Sequence, residues 1–103
     1  MQALWTAKNE NIAVVYVICS NAMFRILKQN MDTYKRDILH VDEPGSRYLY
    51  MDLDTPINFS GLAEVIGLHS ERITEPEEIA PAMARALASC EPAVLDIVID
   101  GSL

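Results

Sequence analysis

The sequence predicts an α/β fold in which a parallel sheet is flanked by helices. Two apolar segments, residues 12–19 and 93–99, are rich in β-branched side chains. Their continuous hydrophobicity is typical of strands that are buried on both faces. Amphipathic segments with helix-start and helix-end residues lie before and between them. This alternation favours a parallel sheet whose strands are joined by right-handed crossovers.

The composition indicates one small folded domain. Half of the 103 residues are hydrophobic, which is enough to form a core, and no apolar run approaches the roughly 20 residues of a membrane helix. The net charge of −7 disfavours nucleic acid and anionic membranes as partners. The first ten residues lack the basic and apolar regions of a signal peptide. We expect Cys19 and Cys90 to be reduced core residues of a cytoplasmic protein.

The first third of the chain predicts a helix, a strand and a second helix. Residues 2–10 predict a helix whose apolar face combines Ala3, Leu4 and Ala7, with Trp5 beside it. The strand covers Val14–Ile18 and ends at Ser20-Asn21, because small polar residues favour turns. The second helix is expected from Phe24 to Met31. Its apolar contacts are expected from Ile26, Leu27 and Met31.

Residues 32–58 predict no long element. The sequence Glu43-Pro44-Gly45 marks one turn, and the acids before Pro56 mark another. The segment Arg47–Met51 is compatible with a short strand or with a covering segment.

The remainder of the chain again alternates. Ser60 is expected to cap a helix over 60–66 that Gly67 ends, and a short strand follows over Leu68–Ile73. Thr74 is expected to cap a helix over 76–88, since Pro76 and two glutamates stand in its opening turn. Its buried face is expected to combine alanines with Ile79, Met83 and Leu87. The last strand covers Val94–Ile99.

The end of the first strand is the candidate site that the residues themselves indicate. Ligands of α/β sheets bind outside the carboxyl ends of strands, where helix N-termini offer free N–H groups to anions. Asn21 supplies a neutral oxygen there, of the kind that a hard cation accepts. The alternative is that Asn21 only ends the strand. Three other groups of polar residues are expected to be solvated or structural: the single histidines His40 and His69, the acids Asp52 and Asp54, and the basic residues Lys28, Lys35 and Arg36.

Two stretches carry a resemblance to a known family. These segments resemble the thiamine-diphosphate-binding domain of the benzoylformate decarboxylase and acetolactate synthase group; they are ALWTA at 3–7 and VVYVICSNAMFRILKQN at 14–30. That family's signature opens with Gly-Asp-Gly and closes with Asn-Asn, and Ser20-Asn21 stands at the Asn-Asn position. The chain departs from the pattern at Ser20, at Phe24, where Tyr is usual, and in lacking Gly-Asp-Gly. The resemblance therefore implies that residues 1–103 are the carboxyl-terminal part of a Rossmann-like thiamine-diphosphate-binding domain.

The resemblance also implies a set of binding residues. The side chain of Asn21 and the main-chain carbonyl of Met23 are expected to bind Mg²⁺, and the N–H groups of Ala22, Met23 and Phe24 to meet the diphosphate. Leu27 and Asn30 are expected to line the substrate pocket, although Leu27 is equally compatible with a core position. No catalytic residue is expected in this chain, because in the family the catalytic Glu belongs to another domain.

The implied enzyme is a 2-oxo acid decarboxylase or carboligase. The words ALWTA and RILK favour the benzoylformate decarboxylase-like branch over the acetolactate synthase branch. Without the upstream strands of such a domain, exposed sheet edges and apolar helix faces predict a homo-oligomer or a swapped dimer, or a chain that depends on the rest of its enzyme. The net charge predicts no nucleic acid or membrane partner, and the isolated 103-residue chain is expected to be inactive. A non-catalytic α/β module that binds a protein partner is the alternative from another functional class.

Overall fold

A computed structural model describes residues 1–41 and 50–100 of the chain. The chain divides into two units. Of the described residues, the first comprises Met1–Ser20 and Asn58–Ile99, and the second comprises 21–41, 50–57 and Asp100. The first unit contains the sheet, and the second contains the candidate loop and the helix that follows it.

The first unit is built on a parallel three-stranded sheet, as the sequence predicts. Its strands are β1 (Val15–Ser20), β2 (His69–Ile73) and β3 (Ala93–Val98), and their order is β1-β3-β2. Asp96 in β3 stands opposite Ile18 on one side and Arg72 on the other. The central strand is therefore the last of the three in the sequence, and within the described residues β1 and β2 each pair only with it.

Helices pack on both faces of this sheet. Successive residues of a strand point to opposite faces, so Val94 and Leu95 of β3 enter two different hydrophobic clusters. The helices of this unit are α1 (Gln2–Asn9), α3 (Phe59–Ile66) and α4 (Ile79–Ala88), the last preceded by a 3₁₀ turn over Pro76–Glu78. One cluster comprises Leu4, Ala63, Leu68 and Val94, and the other comprises Ile73, Ala82, Ala86, Ala93 and Leu95. This arrangement confirms the α/β fold class.

Three details of burial differ from the predictions. The first apolar segment is not buried on both faces: Val17 remains 44 % exposed, and among the described strands β1 has a hydrogen-bonded neighbour only on its β3 side. Cys19 and Cys90 are unpaired, but both are exposed rather than core residues. Leu87 is also exposed, because the buried face of α4 runs through Ala82 and Ala86.

The helix ends follow the sequence only in part. Gly67 ends α3 in the left-handed region, with φ of 89°, as predicted. The cap of α3 is Asn58 rather than Ser60, since the Asn58 side chain accepts the Gly61 N–H at 3.0 Å and Ser60 donates to the same oxygen. Thr74 does not cap the later helix, which begins at the 3₁₀ turn after Glu75 without a side-chain cap.

The second unit contains α2 (Arg25–Asp37), which extends six residues beyond the predicted end at Met31 and so covers part of the region in which no long element was predicted. Its apolar residues do not form a buried face: Ile26, Leu27 and Met31 are exposed, and the buried residue of the helix is Lys28. Tyr50 and Met51 lie in a turn, while the predicted turn at 43–45 and residues 47–49 lie outside the described residues. Within the described ranges, every helix is too short or too polar to cross a membrane.

Candidate functional site

The loop Asn21–Phe24 is held by a short antiparallel pairing with residues 51–53. The Phe24 N–H donates to the Met51 carbonyl at 2.7 Å, and the Leu53 N–H donates to the Ala22 carbonyl at 2.8 Å. Met23 consequently stands opposite Asp52 in an isolated bridge. Both partners belong to the second unit. The loop is thus fixed by two backbone bonds in addition to the turn that follows β1.

The backbone of this loop bends sharply at Ala22. Ala22 has a φ of 55°, in the left-handed region that residues with a Cβ seldom adopt. The Asn21 side-chain oxygen accepts the Met23 N–H at 3.3 Å, a local bond of the kind by which Asn stabilises turns. Asn21 is therefore a turn-forming residue with a half-buried amide, and its oxygen is directed toward the bend.

The bridge determines which polar backbone groups remain available. Met23 and Asp52 form the pair whose own N–H and C=O groups point away from the partner segment, as in any non-hydrogen-bonded antiparallel pair. The Met23 carbonyl therefore takes no part in the pairing. Of the three N–H groups predicted to meet a diphosphate, those of Met23 and Phe24 already donate within the chain. The N–H of Ala22 donates no bond in the described part.

The donor set of this loop suits a hard cation. Asn21 Oδ1 and the Met23 carbonyl are neutral oxygens two residues apart, and Mg²⁺ takes such oxygens alongside phosphate oxygens and water. The described residues contain no group of three or more His, Cys, Asp or Glu side chains that could hold a metal. A metal at the loop would consequently depend on these neutral oxygens and on anionic groups of its ligand.

An ion pair behind the loop was not predicted from the sequence. Lys28, one turn into α2, places its Nζ 2.5 Å from Asp52 Oδ1, and the two side chains are only 5 % and 19 % exposed. The predictions of a solvated Lys28 and a solvated Asp52 are therefore wrong. One sequence signal was available: Lys28 lies four residues after Phe24, on the same side of the helix as the end of the loop.

The other candidate residues are distributed over both units. Leu27 and Asn30 are exposed on α2, so Leu27 is not a core residue, and the predicted pocket role of both stays a prediction. Asp54 is exposed. In the first unit, Ser20 ends β1, and His69 lies 3.2 Å from Glu71, which also binds Arg85 with a shortest distance of 2.6 Å. The Arg85 hydrogen bond is the main reason why the pKa of Glu71 lies below its usual value.

Comparison with known proteins identifies the family. Residues 1–97 match the family described as "Thiamine pyrophosphate enzyme, C-terminal TPP binding domain". The acetolactate synthase large subunit IlvG of Mycobacterium tuberculosis is 31 % identical over 99 residues, covering 95 % of this chain and 16 % of that protein. A "Probable acetolactate synthase large subunit" of Methanocaldococcus jannaschii is 33 % identical over 99 residues, covering 96 % of this chain and 15 % of its own length. The chain thus spans about one sixth of these relatives.

Proposed function

Because the chain belongs to the family of C-terminal TPP-binding domains of thiamine pyrophosphate enzymes, we propose that it is part of a carboligase of the acetolactate synthase type. In this proposal the enzyme acts on 2-oxo acids, and the loop Asn21–Phe24 holds the metal and the diphosphate of the cofactor. The curated relatives carry acetolactate synthase names. They give no support to the benzoylformate decarboxylase-like branch that the words ALWTA and RILK favoured.

The observation that carries the proposal is the shape of the Asn21–Phe24 loop. Across the left-handed bend at Ala22 the Asn21 side-chain oxygen accepts the Met23 N–H, and the Met23 carbonyl takes no part in the pairing with residues 51–53. Both oxygens are neutral, so they suit Mg²⁺ that is already bound to a diphosphate. Bound thiamine diphosphate supplies the electron sink for carbon–carbon bond chemistry. The residues of this chain then have the tasks of binding and orienting it.

The decisive experiment is Asn21→Ala in the enzyme that contains this chain. Removing one oxygen ligand should weaken the binding of Mg²⁺–thiamine diphosphate by at least about 10–100-fold, since even outer-shell losses at metal sites have effects of that size. Calorimetric titration with cofactor and excess Mg²⁺ measures this directly, and acetolactate formation from pyruvate measures the activity. Asn9→Ala is the matched control, because Asn9 is an exposed asparagine of the first unit. Unchanged cofactor affinity in Asn21→Ala would contradict the proposal.

The isolated 103-residue chain should bind the cofactor too weakly to measure. One amide oxygen, one carbonyl oxygen and the N–H of Ala22 do not offset the entropy lost when a flexible ligand is captured. A micromolar dissociation constant for the isolated chain, in the same calorimetric titration, would show that the loop alone supplies most of the affinity.

A non-catalytic module that binds a protein partner is the second candidate, and one observation favours it. Along α2 and its end, Leu27, Met31, Tyr34 and Ile38 recur at spacings of three and four residues and are all exposed. Such a stripe is typical of a helix that packs against another chain. A protein that contains this chain and binds its partner fully, but binds no thiamine diphosphate, would favour this candidate.

A further inference from the structure

Lys28 is an unexpected residue to bury. Helix α2 exposes its leucine, isoleucine and methionine side chains and buries a lysine. Removing an ammonium group from water is costly unless the charge is paired and hydrogen-bonded. The local fold compensates for that cost with a single strong contact, the 2.5 Å bond from Lys28 Nζ to Asp52 Oδ1.

The partner of Lys28 lies at the centre of the segment that grips the loop. Asp52 stands between Met51 and Leu53, whose backbone groups bind Phe24 and Ala22. The connection therefore forms a closed ring: the loop leads into α2, Lys28 reaches from α2 to Asp52, and Asp52 stands opposite Met23. Movement of residues 51–53 relative to the loop would have to break two backbone bonds and one buried ion pair.

The conformation of the loop requires such support. A left-handed residue with a Cβ costs roughly 1–2 kcal/mol, and strained backbone persists only where its surroundings hold it. Ala22 is the strained residue here. A slip of one residue in the short pairing would also remove Met23 from the position in which its carbonyl points away from the partner segment. An ion pair is directional, so it can fix that register where an apolar contact could not.

We propose that Lys28 and Asp52 are positioning residues, which hold the Asn21–Phe24 loop in the shape that accepts the metal and diphosphate of the cofactor. This inference rests on the proposed function. A buried ion pair contributes little net stability compared with a well-packed apolar pair, so its main effect here is on the geometry of the loop. The second oxygen of Asp52 is buried without a partner in the described part of the chain, and the carboxylate therefore depends on Lys28.

The test separates positioning from stability with a neutral replacement of the pair. Lys28→Met alone leaves an unpaired buried carboxylate and should destabilise the chain, whereas Lys28→Met with Asp52→Leu should recover most of the urea midpoint. If the pair positions the loop, the amides of Phe24 and Leu53 should exchange about tenfold or more faster in the double variant than in the wild type, while the amide of Leu95 in β3, the internal reference, does not change. In the enzyme that contains this chain, the same double variant should bind Mg²⁺–thiamine diphosphate at least about tenfold more weakly.

The exposed ion pair of Glu71 and Arg85 provides the matched control, because it lies in the first unit. Glu71→Leu with Arg85→Met should leave the exchange of Phe24 and Leu53 unchanged. The inference is overturned if the Lys28 and Asp52 double variant keeps wild-type exchange at these amides and wild-type cofactor affinity. That result together with weak binding in Asn21→Ala would refute the positioning role alone. Wild-type cofactor binding in Asn21→Ala would instead refute the proposed function, and the exchange rates would still decide whether the pair holds the loop.

Discussion

The carboxylate of Asp96 should destabilise the folded chain. Asp96 lies in the central strand β3 and is only 1 % exposed, and neither of its oxygens has a hydrogen-bond partner among the described residues. Its register neighbours are Ile18 and Arg72, and the described Arg72 side chain forms no ion pair with it. Asp96→Asn replaces the carboxyl group with an amide of nearly the same volume at this buried position of β3.

The size of the effect follows from the burial of Asp96. A buried polar group without a partner costs about 1–3 kcal/mol, and a charged one costs more. An amide in the same place still lacks partners, so Asp96→Asn should recover part of the cost, about 1 kcal/mol or more. For a domain of this length, 1 kcal/mol corresponds to a rise of roughly 4–8 °C in the melting temperature.

Urea unfolding and calorimetry of the 103-residue chain at neutral pH measure this change. Glu64→Gln is the matched control, because Glu64 is an exposed acid on α3 and the substitution changes the net charge by the same amount. A surface change of this kind should shift stability by less than about 0.5 kcal/mol. If Asp96→Asn lowered stability by about 1 kcal/mol or more, donors would have to reach the carboxylate in the folded protein, and the reasoning from its burial would fail.

Two other expectations concern pH and association. The Arg85 hydrogen bond lowers the pKa of Glu71 in the folded state, so the stability that this ion pair contributes is complete above the ordinary pKa of 4.5 and is lost as the pH falls through the lower folded pKa. The urea midpoint of the wild type should therefore fall more steeply with acid than the midpoint of Glu71→Gln. Parallel curves for the two proteins would contradict this. We also expect the chain to self-associate through exposed apolar residues of α2 and the residue Ile38 that follows it. Light scattering should therefore give a mass above the monomer mass of 11.5 kDa, and the double variant Met31→Gln with Ile38→Gln should have a lower mass than the wild type. A monodisperse wild-type monomer at micromolar concentration would refute the second expectation.

Much of the first unit follows from local sequence signals. Gly67 ends a helix because few other residues tolerate its backbone angles, and the alternation of apolar strands with amphipathic helices is sufficient to predict a parallel sheet. The degree of burial did not follow in the same way. The segment around Val17 is as apolar as the segment around Leu95, yet one strand lies at the edge of the three-stranded sheet and the other at its centre. Hydrophobicity predicts a strand, whereas its neighbours in the sheet determine how much of it is covered.

The second unit was harder to predict because its main contact is long-range and polar. Lys28 and Asp52 are 24 residues apart in the sequence. Each taken alone has the composition of a solvated surface residue, and only their approach makes burial of either tolerable. The position of the candidate loop at Asn21 was accessible from the strand, turn and helix pattern. The pairing of this loop with residues 51–53 could not be predicted, because a single antiparallel bridge produces no periodic pattern in the sequence.

The strand order imposes a sequence of events on folding. β1 and β2 do not pair with each other, so among the described strands neither has a partner until β3 has been synthesised. β2 and β3 are joined by the 3₁₀ turn and α4, and they can close as a local unit. Pairing Val15 with Ala93 closes a loop roughly three times longer than pairing His69 with Ala93, at an additional entropic cost of about 1 kcal/mol. β1 should therefore join a sheet that already exists, so the strand made first during synthesis is the last of the three to find its partner.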